Sequence, residues 1–246
     1  MKIKLLNKIK SNNASVGIIG LGYVGLPLAI RFFEEKINVV GLDIDDQKTK
    51  ALLNGNSYIN HIEDIKISKM ISSDKFLPST DFKLIKNVDI IIICVPTPLG
   101  LHNEPDLSYI ENTLELIKPF LRNEQLLVLE STTYPGTTDE IIVPYINNLG
   151  FDIGKDFFVG YSPEREDPGN KEFTTKTIPK VVSGHTRNCL KLTESIYQKI
   201  VDKTVPVTST KVAEMTKIME NIHRSVNIGL VNELKIVADK MDIDIY

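Results

Sequence analysis

The sequence is poor in residues that could cross-link it or hold a metal ion. It has two cysteines, Cys94 and Cys189, and they form no CxxC pair. Two isolated cysteines without metal-ligand spacing are typical of reduced, structural thiols. The four histidines, at positions 61, 102, 185 and 223, likewise lack the spacing of a metal site. We therefore expect neither a disulfide framework nor a bound metal.

Long apolar runs and an excess of positive charge are also lacking. No stretch approaches the roughly 18 apolar residues of a membrane span, and no signal-peptide core follows the basic N-terminus. The net charge of −3 and pI of about 5.9 argue against a nucleic-acid-binding surface. A content of 42% hydrophobic and 25% charged residues is typical of globular proteins. We expect a cytoplasmic protein that binds neither nucleic acid nor membrane.

Apolar runs rich in Ile and Val alternate with segments of helical period over residues 1–208. This alternation predicts parallel βαβ units, and runs without polar alternation indicate strands covered on both faces. The expected fold is α/β, a Rossmann-like doubly wound parallel sheet. The predicted strands begin at Ser15, Asn38, Val88, Gln125, Phe157, Lys180 and Val205.

Residues 209–246 contain no proline and one glycine, and they open with a Ser/Thr cap candidate. They predict one long connecting and dimerisation helix. Its apolar residues recur at spacings of three and four, so we expect one face to be buried and the protein to be a homodimer. That face comprises Val212, Met215, Ile218, Met219, Ile222, Val226, Leu230 and Leu234.

A GxGxxG motif, Gly20, Gly22 and Gly25, directly follows the first apolar strand and opens a helix. These glycines permit a tight turn, close approach of a pyrophosphate, and close packing of helix on strand. Asp43 ends the second strand, 18 residues after Gly25, where its carboxylate can bind the adenosine ribose. It would also repel a 2′-phosphate, which favours NAD over NADP. The alternative is a glycine-rich turn followed by a capping aspartate.

Three further groups of polar residues occur at expected strand ends or on one helix face. Thr97 and Thr132 follow strands and are expected to project towards a ligand, although each could be a cap or turn residue. The loop 162–169 carries four charges between two prolines. Lys217, Asn221 and Arg224 share a face of the long helix, which could equally be solvated.

Five segments occur in one order: GLGYVGLPLA, VPTPL, ESTTYPGTT, YSPEREDPGN and AEMTKIMENIHRSVNIGLVNE. Together they closely resemble the UDP-glucose/GDP-mannose dehydrogenase family, and especially its bacterial members that oxidise UDP-N-acetylglucosamine. The resemblance covers essentially the whole chain but only the first half or so of a family member. It implies a two-step oxidation of a sugar C6 hydroxyl to a carboxylate with NAD, for surface polysaccharide precursors.

The resemblance also implies roles for single residues. Around the cofactor it places backbone groups at the pyrophosphate, two side chains at the adenosine, and two threonines near the nicotinamide ribose. The pyrophosphate contacts are Tyr23 and Val24 with the three glycines. The adenosine contacts are Asp43 and Lys48, and the threonines are Thr97 and Thr132.

For the substrate, the resemblance makes Lys217 an electrophile or proton donor and Asn221 a second hydrogen-bond donor at the C6 oxygen. Thr132 would position a water molecule, and Glu164 would take part in acid–base chemistry. The remaining substrate contacts would be Arg165, Glu166 and Arg224.

Two departures from the family pattern affect this interpretation. Pro168 stands where UDP-glucose dehydrogenases have a glutamate, which weakens the acid–base role of Glu164 and favours N-acetylated substrates. Neither cysteine matches the family nucleophile, so we expect a chain without the C-terminal nucleotide-sugar domain and inactive alone. Alternatives are UDP-glucose, UDP-N-acetylmannosamine or galactosamine as substrate, a 3-hydroxyacid or 6-phosphogluconate type of dehydrogenase, or a non-catalytic NAD-binding module.

Overall fold

The computed structural model describes residues 4–100, 102, 104–164 and 176–245. Within them, eight strands form one sheet in the order β3-β2-β1-β4-β5-β6-β7-β8. The strands are β1 (Ser15–Ile19), β2 (Asn38–Leu42), β3 (Phe76–Ser79), β4 (Ile90–Ile93), β5 (Gln125–Leu129), β6 (Phe157–Tyr161), β7 (Lys180–Gly184) and β8 (Thr204–Pro206). The expected α/β, doubly wound fold is confirmed.

Eight α-helices accompany the strands in the described part of the chain, and a short π-helical segment, Thr138–Ile142, leads into α6. They are α1 (Lys4–Lys10), α2 (Gly25–Glu34), α3 (Asp46–Leu53), α4 (Asp64–Ile71), α5 (Ser108–Ile117), α6 (Val143–Asn148), α7 (Arg187–Tyr197) and α8 (Thr210–Lys240).

The two faces of the sheet are covered by separate hydrophobic cores. In β4 four consecutive isoleucines are buried, with Ile90 and Ile92 in one core and Ile91 and Ile93 in the other. Apolar residues of α1, α2, α4 and α7 form the first core, and those of α5 and α6 form the second. Strands that are covered on both faces lack polar alternation, so their continuous apolar runs could be recognised in the sequence.

The sheet is mostly parallel, as the alternating pattern predicts, but β7 runs antiparallel to β6. Two buried hydroxyls bridge these strands: Ser162 Oγ donates to the Val181 carbonyl and Ser183 Oγ to the Tyr161 carbonyl, both at 2.7 Å. An apolar run has the same composition in either direction, so its sequence did not show this reversal.

The long helix begins where the sequence predicts. Ser209 is its N-cap, and its Oγ accepts a hydrogen bond from the Val212 N–H at 3.3 Å. Only its first turns pack on the sheet, through Thr210, Ala213 and Glu214.

The expectation of a buried apolar face on α8 is wrong within the described chain. From Met219 onward the predicted face is more than half exposed, because only the first turns of the helix are buried against the rest of the described chain. No helix among the described residues is long and apolar enough to span a membrane.

Candidate cofactor cleft and active site

A cleft of about 700 Å³ opens at the carboxyl ends of β1, β2, β4 and β5. The chain leaves β1 towards β2 on one side and later returns to β4 on the other, so the strand order reverses here. In open α/β sheets ligands bind at such switch points. Of the predicted cofactor residues, the cleft is lined by Gly20, Gly22, Tyr23, Val24, Asp43, Lys48, Thr97 and Thr132.

The glycine loop forms the floor of this cleft. Gly20 has φ +91°, and a Cβ there would lie 2.8 Å from the Cys94 carbonyl oxygen. A Cβ on Gly25 would lie 1.9 Å from the Gly20 carbonyl oxygen, so any side chain would break the turn. A Cβ on Gly22 would meet no atom within 4 Å, because this position faces the open cleft. The loop therefore offers backbone to a ligand at Gly22 and requires glycine at the other two positions.

Asp43 is held rigidly at the end of β2. Its carboxylate accepts from the Leu21 N–H at 2.8 Å and the Asp45 N–H at 2.9 Å, and Lys48 Nζ lies 3.3 Å away. The side chain is 6% exposed and lines the cleft. An oriented carboxylate at this position can accept hydrogen bonds from vicinal ribose hydroxyls.

The sequence did not reveal Tyr58 as part of this site. Its hydroxyl donates to the Leu21 carbonyl at 2.5 Å, so both polar groups of the Leu21 residue are bonded, the N–H by Asp43 and the carbonyl by Tyr58. Burial, together with the negative charges of Asp43 and Asp45, raises the pKa of Tyr58 far above its usual value. The phenol therefore stays protonated and remains a donor to the glycine loop.

The opposite end of the cleft is formed by the loops after β4 and β5. Thr97 Oγ1 donates to the Thr132 carbonyl at 2.6 Å, and Ser131 Oγ donates to the Val95 carbonyl at 2.6 Å. The two predicted threonines thus lie together. The predicted adenosine contact, Asp43, and these predicted nicotinamide-ribose contacts line one cleft.

Two predicted catalytic residues, Lys217 and Glu164, also lie together. Lys217 Nζ, on α8, donates to the Glu164 carbonyl at 2.7 Å and to its Oε2 at 3.1 Å. Both side chains are more than four-fifths buried. Glu164 follows the carboxyl end of β6, beside β5, so the pair lies at the same sheet edge as Thr132.

Other predicted substrate residues are less enclosed. Asn221 is half-buried and Arg224 is exposed; they lie about one and two helical turns beyond Lys217. Arg165 and Glu166 lie outside the described residues, as does Pro168.

The cleft also has an apolar wall that the sequence analysis did not assign. Its apolar members are Ile44, Phe82, and Tyr109 and Leu116 of α5, and the polar Asn112 and Thr113 share the α5 face with the last two. The helical spacing of the α5 residues was visible, but the same spacing marks any face packed on a sheet.

A buried ion pair joins the two loops that follow β5 and β6. Lys180 Nζ donates to Glu130 Oε2 at 2.7 Å and to the Pro163 carbonyl at 3.0 Å, and the Tyr197 hydroxyl donates to Glu130 Oε1. Glu130 precedes the Ser131–Thr132 loop and Pro163 precedes Glu164, so one ammonium connects the two loops.

Two family profiles match the chain in order. The NAD binding domain of the UDP-glucose/GDP-mannose dehydrogenase family matches residues 14–201, and the central domain of that family matches residues 211–246. The chain belongs to this family. Its cofactor is NAD, and the cleft fits it: the backbone is open at Gly22 and a fixed carboxylate stands at the end of β2.

Those relatives whose names state a reaction are nucleotide-sugar dehydrogenases. The chain is 42% identical over 234 residues to protein CapL of Staphylococcus aureus, and 37% identical over 231 residues to the UDP-N-acetyl-D-glucosamine 6-dehydrogenase of Pseudomonas aeruginosa. These alignments cover 94% and 93% of this chain and 54% of each relative.

A similar solved structure is that of a UDP-D-ManNAc dehydrogenase from Pyrococcus horikoshii. Its TM-score is 0.87 at 33% identity, covering 94% of this chain and 56% of that one. The chain thus spans about half the length of the relatives it matches.

Proposed function

We propose that this chain provides the NAD site and the substrate-facing helix of an enzyme that oxidises C6 of UDP-N-acetylglucosamine to a carboxylate, in two steps. The observation that carries this proposal is the contact of Lys217 with Glu164 at the sheet edge that also bears Thr132. It sets a cation and a carboxylate beside the end of the cleft assigned to the nicotinamide half.

Each residue of this cluster has a chemical task. NAD, when bound, accepts the hydride from C6. The Lys217 ammonium stabilises negative charge that develops on the C6 oxygen, and Asn221, one helical turn further, adds a second donor. Glu164 keeps the ammonium oriented through its carbonyl and carboxylate, and Thr132 positions a water molecule that takes up the hydroxyl proton as the hydride leaves C6. Arg165, Glu166 and Arg224 are proposed to contact the nucleotide sugar.

Neither cysteine of the chain is suited to act as the nucleophile, although Cys94 lines the cofactor cleft. Cys189 is fully buried, with its Sγ 3.4 Å from the Val159 N–H. Cys94 lies at the end of β4, and burial, followed by the charge of Glu130, raises the pKa of its thiol well above the usual value. Since only a thiolate attacks an aldehyde efficiently, we propose that these 246 residues bind NAD but do not complete the oxidation.

A titration tests the proposal and its substrate alternatives. We expect calorimetry to detect NAD binding to this chain, and UDP-N-acetylglucosamine to bind a form extended to the length of its relatives more tightly than UDP-glucose, UDP-N-acetylmannosamine or UDP-N-acetylgalactosamine. Tighter binding of another sugar would reassign the substrate. NADH formation by the 246-residue chain alone would refute its proposed inactivity.

Substitution of the lysine tests the mechanism. In a form extended to the length of its relatives, Lys217→Ala should lower kcat by about 100-fold or more while NAD affinity stays unchanged, because the ammonium acts on the substrate oxygen. The matched control is Lys211→Ala, an exposed lysine on the same helix. Near-normal turnover of Lys217→Ala would remove this residue from the mechanism.

We also propose that α8 forms a homodimer interface and that the protein works in the cytoplasm. The exposed apolar stripe from Met219 to Leu234 supports the first proposal. The free thiols of Cys94 and Cys189 fit a reducing compartment. A species that sediments as a monomer at micromolar concentration would contradict the dimer.

A further inference from the structure

Glu214 is a fully buried carboxylate on α8, one turn before Lys217. Its Oε2 accepts from the Gly136 N–H at 2.5 Å, and its Oε1 accepts from the Thr138 N–H at 2.9 Å and the Thr138 hydroxyl at 2.7 Å. Burial of a carboxylate is costly unless hydrogen bonds replace its water. Here all three bonds come from one loop, so this carboxylate joins α8 to that loop.

The loop bonded by Glu214 is the one that enters the cofactor cleft. It follows β5 and begins with Ser131 and Thr132, whose bonds to Val95 and Thr97 fix the end of the cleft opposite Asp43. Only Thr133, Tyr134 and Pro135 separate Thr132 from the Gly136 N–H that Glu214 holds. The loop is therefore anchored at the β4 side by hydroxyls and at the α8 side by one carboxylate.

We propose that Glu214 is a positioning residue for the nicotinamide half of the cofactor, acting through the loop from Ser131 to Thr138. It rests on the proposed function, namely that the nicotinamide half lies beside Thr97 and Thr132 and that Lys217 acts at the C6 oxygen. Glu214 also precedes Lys217 by three residues on the same helix. One carboxylate thus sets the spacing between the hydride acceptor and the lysine at the C6 oxygen.

A comparison of two ligands on the 246-residue chain tests this role. Under the proposed function NAD would contact both ends of the cleft, whereas ADP would contact only the Asp43 end and the glycine loop. Glu214→Gln can keep one side of the carboxylate contact but presents an NH2 group to the donor on the other side. We expect NAD affinity to fall about tenfold, the effect of losing one charge-assisted hydrogen bond, and ADP affinity to change less than twofold.

Amide hydrogen exchange gives a second readout. In Glu214→Gln the Gly136 and Thr138 N–H groups should exchange faster than in the parent chain, while amides of the glycine loop keep their protection. The matched control is Glu233→Gln, the same change on an exposed part of α8, which should alter neither affinity nor exchange.

Each outcome decides between roles. An equal loss of NAD and ADP affinity would show a general structural role, and unchanged NAD affinity with a folded protein would overturn the proposal. If Glu214→Gln does not fold, Thr138→Val replaces it, since it removes one donor and should weaken NAD, but not ADP, by a smaller factor. If the parent chain binds NAD no more tightly than ADP, the assignment of the nicotinamide end fails instead.

Discussion

The cofactor cleft and the long helix α8 differ in how completely the described chain surrounds them. Around the cleft, polar groups such as those of Asp43, Leu21 and Thr97 are held by bonds within the chain. Beyond Asn221, α8 presents polar and apolar residues that are mostly exposed. The cleft is thus pre-formed for its ligand. The helix α8 is regular to Lys240, but the rest of the described chain holds it only at its first turns, through Glu214 and through the contact of Lys217 with Glu164.

The largest expected effect is on the free energy of unfolding, through the buried ion pair of Lys180 with Glu130. Lys180→Met leaves the Glu130 carboxylate buried without its cation, which should lower the free energy of unfolding by about 3–5 kcal/mol. Urea denaturation measures it. The control is Lys50→Met, which removes an exposed ion pair with Asp46 and should change stability by less than about 0.5 kcal/mol. Equal losses would mean that the buried pair does not support the sheet edge.

The next effect concerns the adenosine end of the cleft. Asp43→Ala removes the predicted ribose acceptor and the acceptor for the Leu21 N–H, so NAD affinity should fall roughly 10- to 100-fold, with a smaller change for NADP. Calorimetry with both cofactors measures the loss and the relaxed selectivity. Asp46→Ala, three residues on and exposed, should bind NAD as the parent chain does. If the parent chain prefers NADP, Asp43 does not select against the 2′-phosphate.

A smaller effect should appear in acid, at the other edge of the sheet. Burial opposes ionisation of Asp89, but hydrogen bonds from Lys8, Arg122 and the Ser15 N–H lower the pKa of this carboxyl overall. A lowered folded-state pKa stabilises the protein above the unfolded-state value, near pH 4, and this contribution is lost as pH falls through the folded-state pKa. Asp89→Asn should therefore flatten the decline of unfolding free energy below pH 4. Parallel curves for the two proteins would contradict this assignment.

The sequence predicted the buried strands, the helix cap and the required glycines, because each of these has a single physical cause in its local sequence. Buried strands such as β4 are apolar on both faces, Ser209 caps a helix, and glycine is required at Gly20 and Gly25. These signals are local, and each was confirmed in the structure. The strand β3 was missed because Pro78 weakens its pattern, yet proline is tolerated there since β3 lies at the sheet edge.

Contacts between distant segments could not be predicted from local pattern. Tyr58 reaches Leu21 across 37 positions, Lys180 reaches Glu130 across 50, and Glu214 reaches Gly136 across 78. A tyrosine, a lysine and a glutamate in amphipathic surroundings look like ordinary surface residues in the sequence. Only the fold brings them to the ends of β1, β5 and β6, where they shape the site.

The smallest expected effect within one chain lies on the exposed face of α8. Leu230 is 56% exposed, so Leu230→Ser should change the unfolding free energy of a monomer by no more than about 0.5 kcal/mol. If α8 pairs with a second copy, the same change should weaken the dimer, which analytical ultracentrifugation over a concentration series measures. Leu53→Ser, on an exposed leucine of α3, is the control and should leave association unchanged. Loss of monomer stability with Leu230→Ser would instead show that this face packs within the chain, and the contrast between cleft and helix would disappear.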